Sequence, residues 1–144
     1  LYANHPTAGL GQQRVVNLWL PKQCQEWSPP EKLPNCDLAI LMAYKLKINW
    51  NAEFNIIAPT EDPEKVDQVR ENINELIEVA RLPVDNIEVV PESTDEYIEK
   101  APQADLNIFS LRPKPDFDII RDRLKRTHSA CMYCRDSTEE SVLA

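Results

Sequence analysis

Apolar and polar positions along the chain fall into two alternating kinds of block. Arg14 to Leu20 (RVVNLWL) is β-branched and apolar with little alternation, the pattern of a strand buried on both faces of a parallel sheet. Glu53 to Ala58 (EFNIIA), Asn86 to Val90 (NIEVV), Ala104 to Leu111 (ADLNIFSL) and Ser129 to Cys134 (SACMYC) read as four further strands. Helical blocks separate them. Leu38 to about Trp50 is apolar almost all round in its first two turns, which predicts a helix buried on more than one side, with Asn35 or Asp37 as its cap. Asp62 as N-cap, Pro63 at the first helical position, and Val66, Val69, Ile73, Leu76, Ile77 and Ala80 at three- and four-residue spacing predict an amphipathic helix laid on a sheet. Its other face carries Lys65, Asp67, Arg70, Glu71, Glu75 and Glu78. A short helix is predicted from about Thr94 to Lys100 with Ser93 as its cap, and another over Asp116 to Arg126 with Phe117, Ile120 and Leu124 inward. Ser137 with Glu140 reads as the cap of a final short turn before Ala144.

Strand and helix thus alternate through five strands. That order implies a mostly parallel sheet with helices on both faces, because each crossover lays its helix back on the sheet. The expected architecture is a three-layer open α/β sandwich of universal-stress-like or flavodoxin-like kind, five-stranded, in the order 3-2-1-4-5. Residues 1–13, which hold both glycines (Gly9 and Gly11) among Asn, Pro and Thr, are expected to be a flexible lead-in or linker, and residues 14–144 a single domain. Pro21 to Pro34 contains four prolines and is expected to lack regular structure; it carries Trp27. Long loops inside compact domains are usually functional, so contacts are sought around Trp27 and on the charged outer faces.

Composition narrows the class. A chain of 144 residues suits one domain, and 42% hydrophobic with 28% charged residues excludes disorder. The longest apolar stretch, Leu38 to Tyr44, falls far short of the roughly 20 residues that cross a bilayer. A net charge of −8 disfavours nucleic acid and anionic lipid, both of which need clustered Lys and Arg. The chain starts at Leu1 rather than Met, with neither a basic start nor a long apolar core, so it is expected to be a fragment without a signal peptide.

Candidate chemistry is sparse. Cys131 and Cys134 stand three apart in a strand, so they point to opposite faces and cannot clamp one ion; His5 and His128 are the only histidines. All four cysteines, Cys24 and Cys36 included, are expected as free buried thiols in a reducing cytoplasm. In open parallel sheets ligands sit beyond the carboxyl ends of the strands. The loops there are Pro21 to Pro34, Pro59 to Asp62, Pro91 to Glu96 and Arg112 to Pro115. They contain no glycine, many prolines, and the acids Glu61, Asp62, Glu92, Asp95 and Glu96, which exclude a glycine-loop phosphate site; only Arg112 and Lys114 argue the other way. The first strand ends Leu20-Pro21-Lys22, without the acidic pair of a magnesium site, and no Ser or Cys lies on a glycine-flanked elbow. Asp118, Asp122 and Glu139 read as ordinary surface acids. No catalytic, cofactor-binding or metal residue is therefore assigned, no cofactor or nucleotide is expected, and the chain is not read as an enzyme.

A family resemblance adds to this. Cys36-Asp37-Leu38-Ala39-Ile40-Leu41-Met42-Ala43-Tyr44-Lys45-Leu46, then Asn49-Trp50, the strand Phe54-Asn55-Ile56-Ile57 and the helix end Arg81-Leu82-Pro83 resemble the C-terminal cytoplasmic domain of cation-chloride cotransporters. Ala104-Asp105-Leu106 to Leu111, Cys131 to Asp136 and the ending Ser137 to Ala144 are similar to that family's last strand and terminus. The resemblance covers about residues 14 to 144 and rests on packing residues. It implies a degenerate universal-stress-like fold without the nucleotide loop, on the cytoplasmic side of a membrane protein. It further implies a regulatory, dimerising role beneath a transmembrane transport domain of the same polypeptide. The alternative is a free-standing universal-stress-like nucleotide binder, which rests on the fold alone.

Overall fold

The computed structural model describes residues 1–137, 139 and 141–143. Its strands are β1 (Tyr2–Ala3), β2 (Val15–Trp19), β3 (Glu53–Pro59), β4 (Asn86–Val90), β5 (Leu106–Ser110) and β6 (Ala130–Cys134). The helices are α1 (Lys22–Gln25), α2 (Asp37–Trp50), α3 (Val66–Ala80), α4 (Thr94–Tyr97) and α5 (Phe117–Thr127), and a 3-10 turn, Pro63–Lys65, leads into α3. All six strands form one sheet in the order β1-β6-β5-β2-β3-β4, parallel throughout except that β1 runs antiparallel to β6. Counted over the five parallel strands alone, the order is three-two-one-four-five.

The sheet therefore has six strands rather than the expected five. The sixth comes from the segment read as a lead-in: Tyr2 pairs with Met132, and the Leu1 amino group donates to Tyr133 O at 2.8 Å. A two-residue strand has no periodicity for a sequence pattern to reveal. The Asp105 carboxylate fastens the same segment farther along, accepting from the backbone N–H groups of Gln12, Arg14 and Val15 at 3.0, 2.8 and 2.9 Å. Gly11 packs beside it at φ +56°, where a Cβ would come within 2.1 Å of Asp105 Oδ1.

Because the side chains of a strand alternate, each parallel strand feeds two cores. One face sets Val16, Leu18, Phe54, Ile56 and Ile108 under Ala39, Ile40 and Ala43 of α2 and Val69, Ile73 and Leu76 of α3. The other sets Trp19, Ile57, Phe109, Cys131 and Tyr133 under Ile98, which follows α4, and Ile120 of α5. Each such side chain, fully buried, is worth about 1.5–3 kcal/mol of transfer free energy. The second face also carries a polar row. Asn17 lies in register with Asn55 and Asn107, and Asn55 with Asn86. Asn86 Nδ2 donates to Asn55 Oδ1, Asn55 Nδ2 to Asn17 Oδ1, and Asn17 Nδ2 to Pro102 O, at 2.9, 3.0 and 2.7 Å.

Three local expectations change. The proline-rich loop does contain regular structure, the single turn α1. Phe117, expected inward, is 56% exposed, because it lies in the first turn of α5 beside the exposed loop 113–116, while Ile120 and Leu124 reach the core. Neither Asn35 nor Asp37 caps α2. Asp136 does so from beyond β6, accepting from Asp37 N at 3.1 Å and Leu38 N at 2.9 Å. Asn35 instead receives Asp136 N at 2.9 Å, and Asp37 receives Val142 N at 2.7 Å. The expected cap partner Glu140 lies outside the described residues.

Candidate functional site

The edge where an open parallel sheet holds ligands is the carboxyl end of its strands, at the point where successive crossovers pass to opposite faces. Here that point lies between β2 and β5. A cleft of about 390 Å³ opens there, lined among others by Trp19, Lys22, Glu61, Ser110, Arg112 and Arg123.

Five helices or helical turns begin along this edge; the single turn α1 has no side-chain cap, and the N-termini of the other four are occupied by side chains of the chain itself. Asp136 caps α2; Asp62 accepts from Glu64 N at 3.0 Å; Ser93 Oγ accepts from Glu96 N at 3.1 Å; Asp116 accepts from Asp118 N and Ile119 N at 2.9 and 3.4 Å. At those four ends the free N–H groups and positive helix end that cradle a phosphate are already engaged, three of them by carboxylates. The loop after β2 ties this edge together. Gln25, buried, donates from Nε2 to Leu20 O at 2.8 Å and to Pro59 O at 3.0 Å, tying the ends of β2 and β3 together. Trp27, expected as a contact residue, is 3% exposed and donates from Nε1 to Glu31 O at 2.6 Å; it fastens the loop to the core.

Cys24 and Cys36, expected as free thiols, are joined by a disulfide, because the loop folds back on itself and brings α1 against the head of α2 with their Cα atoms 6.7 Å apart. Cys131 and Cys134 are free and buried in opposite cores. Burial pushes each thiol up to about 11, so neither presents a thiolate at neutral pH. Among the described residues no three His, Cys, Asp or Glu side chains gather in a metal-binding group.

The loop acids are mostly neutralised locally. Glu61 pairs with Lys22, Glu92 with Lys100 at 2.9 Å, and Asp95 with Arg126 at 3.5 Å. The basic groups facing the cleft are less committed. Arg123 stacks over the Phe109 ring at 4.8 Å, and Phe109 stacks between Trp19 and Tyr133 at 5.5 and 5.2 Å. Neither Arg112 nor Arg123 forms an ion pair among the described residues. Sequence reading noticed Arg112 and missed Arg123. Its one signal was its spacing three residues after Ile120, which places it on the inward stripe of the helix.

Comparisons with known proteins bear on this arrangement. A family model described as the second part of the C-terminal domain of prokaryotic cation-chloride cotransporters matches residues 11–143. A solved structure described as the crystal structure of the cytoplasmic domain of a prokaryotic cation chloride cotransporter is similar at a TM-score of 0.88 and 36% identity. The match covers 99% of this chain and 54% of that one, so the chain spans about half of its relative's length. No curated protein matches it.

Proposed function

The chain belongs to the prokaryotic cation-chloride cotransporter family, in its C-terminal domain, and on that premise we propose that it acts without catalysis, as a regulatory and dimerising module. It would lie on the cytoplasmic side of the membrane, its partners being the transport domain of the same polypeptide and a second copy of the chain. The observation that carries this reading is the capping of four helix N-termini along the ligand edge. A fold that elsewhere offers helix N-termini to nucleotides here caps them with Asp62, Ser93, Asp116 and Asp136, and buries its free thiols. What remains to work with is surface. Tyr44 and Ile48 stand one turn apart on α2, 39% and 59% exposed, which supports a contact with another protein surface.

The test uses the whole transporter. Ile48→Asp is expected to weaken cross-linking between subunits and to change cation-dependent chloride flux without altering surface expression. Unchanged cross-linking and unchanged flux, for this variant and for Tyr44→Asp, would remove the assembly role. On the isolated chain, ATP with Mg²⁺ is expected to leave the melting temperature unmoved, since only a ligand bound to the folded state raises it; a saturable rise would favour the nucleotide-binding alternative.

A further inference from the structure

Among the described residues, three buried polar atoms have no hydrogen-bond partner: Ser110 Oγ, Arg123 Nε and Tyr133 Oη. Their residues line one small cavity of about 40 Å³ between the end of β5 and the start of α5, walled by Leu111, Ile119 and Ile120. Such convergence is uncommon, because buried polar atoms are nearly always paired. All three atoms can donate, and the guanidinium can do nothing else. Burial pushes the Tyr133 phenol above its ordinary range, so it stays protonated and remains a donor.

The charges around the cavity point the same way. Arg123 brings a half-buried positive charge that stacks on the Phe109 ring and lies against the Tyr133 hydroxyl, with no carboxylate paired to it among the described residues. Arg112, also without an ion pair, lies at the rim. Among the described residues the lining has one carboxylate, Asp116, and it is committed to the first N–H groups of α5. The buried Nε of a half-buried guanidinium is costly to leave without an acceptor, and an anion satisfies both its hydrogen bond and its charge. The small cavity, as distinct from the larger cleft that Ser110 and Arg123 also line, holds on the order of one or two water-sized bodies, too few for a phosphate with its oxygens.

We propose that this cavity is a site for one small monovalent anion of halide size, held by Ser110 Oγ, Arg123 Nε and Tyr133 Oη. The site is independent of the regulatory reading above and stands or falls separately from it.

Crystals of the chain grown in bromide test it directly, with an anomalous peak expected in this cavity within hydrogen-bond reach of the three donors. In solution, sodium chloride is expected to raise the melting temperature above that in sodium gluconate at equal ionic strength. Tyr133→Phe and Ser110→Ala each remove one donor with little change of shape. Each is expected to weaken halide binding about 10- to 150-fold, as the loss of one hydrogen bond to a charged partner does. A cavity without an anomalous peak, whether it holds water or bromide appears elsewhere as an adventitious ion only, overturns the proposal. So does a chloride effect that both variants keep in full. If one variant fails to fold, the other and the bromide map still decide.

Discussion

Removing the Asp136 carboxylate measures how far α2 depends on the far end of the chain. In Asp136→Ala the helix loses both acceptors of its first turn, the bonds to Asp37 N at 3.1 Å and Leu38 N at 2.9 Å. Capping substitutions cost about 0.5–2 kcal/mol, and bonds to a charged acceptor lie toward and beyond the top of that range. The site is half-buried, so water replaces the carboxylate only in part, and a loss of about 2 kcal/mol is expected. With a melting entropy of about 2.1 cal/mol/K per residue, a domain of this length would melt about 6–7 °C lower. Far-UV circular dichroism during thermal and urea unfolding reads both quantities. Asp136→Asn keeps one acceptor and should lose about half as much. A loss below about 0.5 kcal/mol at an unchanged urea slope, or an Asn variant as damaged as the Ala variant, would refute the claim that this carboxylate caps the helix.

Gly11→Ala should cost about 3 kcal/mol in urea unfolding, since the new Cβ meets Asp105 Oδ1 at 2.1 Å on a left-handed backbone and displaces an acceptor of three N–H groups; an unchanged midpoint would contradict that packing. Asn17→Ala strands Asn55 Nδ2 and Pro102 O in the second core and should cost about 2–4 kcal/mol, so a value under about 1 kcal/mol would mean the row carries little stability. The Asp85 carboxyl is held below its ordinary 3.8 by hydrogen bonds from the Lys47 ammonium and from Phe54 N. A depressed folded value means that its stabilisation is present above 3.8 and lost as pH falls through the lowered value. Asp85→Asn should therefore flatten the stability–pH curve below about pH 4, and an acid limb as steep as the parent's would show that Asp85 does not drive it.

What the sequence could show was whatever one segment decides alone. Pro63 after Asp62 and the stripe Val69, Ile73, Leu76 are short-range features, and so is the cap Ser93; each acts within a turn of its own helix, whereas Asp116, expected as the first residue of its helix, is the cap of α5. The apolar runs around Val16, Ile56 and Ile108 likewise marked strands covered on both faces. The capped ligand edge was half legible: the missing glycines were visible, but the loop acids were read as phosphate-repelling when most are paired with lysine or arginine.

The rest needed partners distant in sequence. Asp136 reaches α2 across about a hundred residues, the Asn row exists only once four strands fall into register, and Tyr2 becomes a strand only because β6 offers it an open edge. Cys24 meets Cys36 because a loop turns back, and Trp27 fills core space that no local pattern announces. Arg123, Ser110 and Tyr133 share a cavity only because α5 lies across β5 and β6. Local sequence thus determined which segments become helices and strands, through side-chain period and capping. The tertiary structure decided which polar groups meet, because hydrogen bonds and ion pairs form at contact distance whatever the separation along the chain.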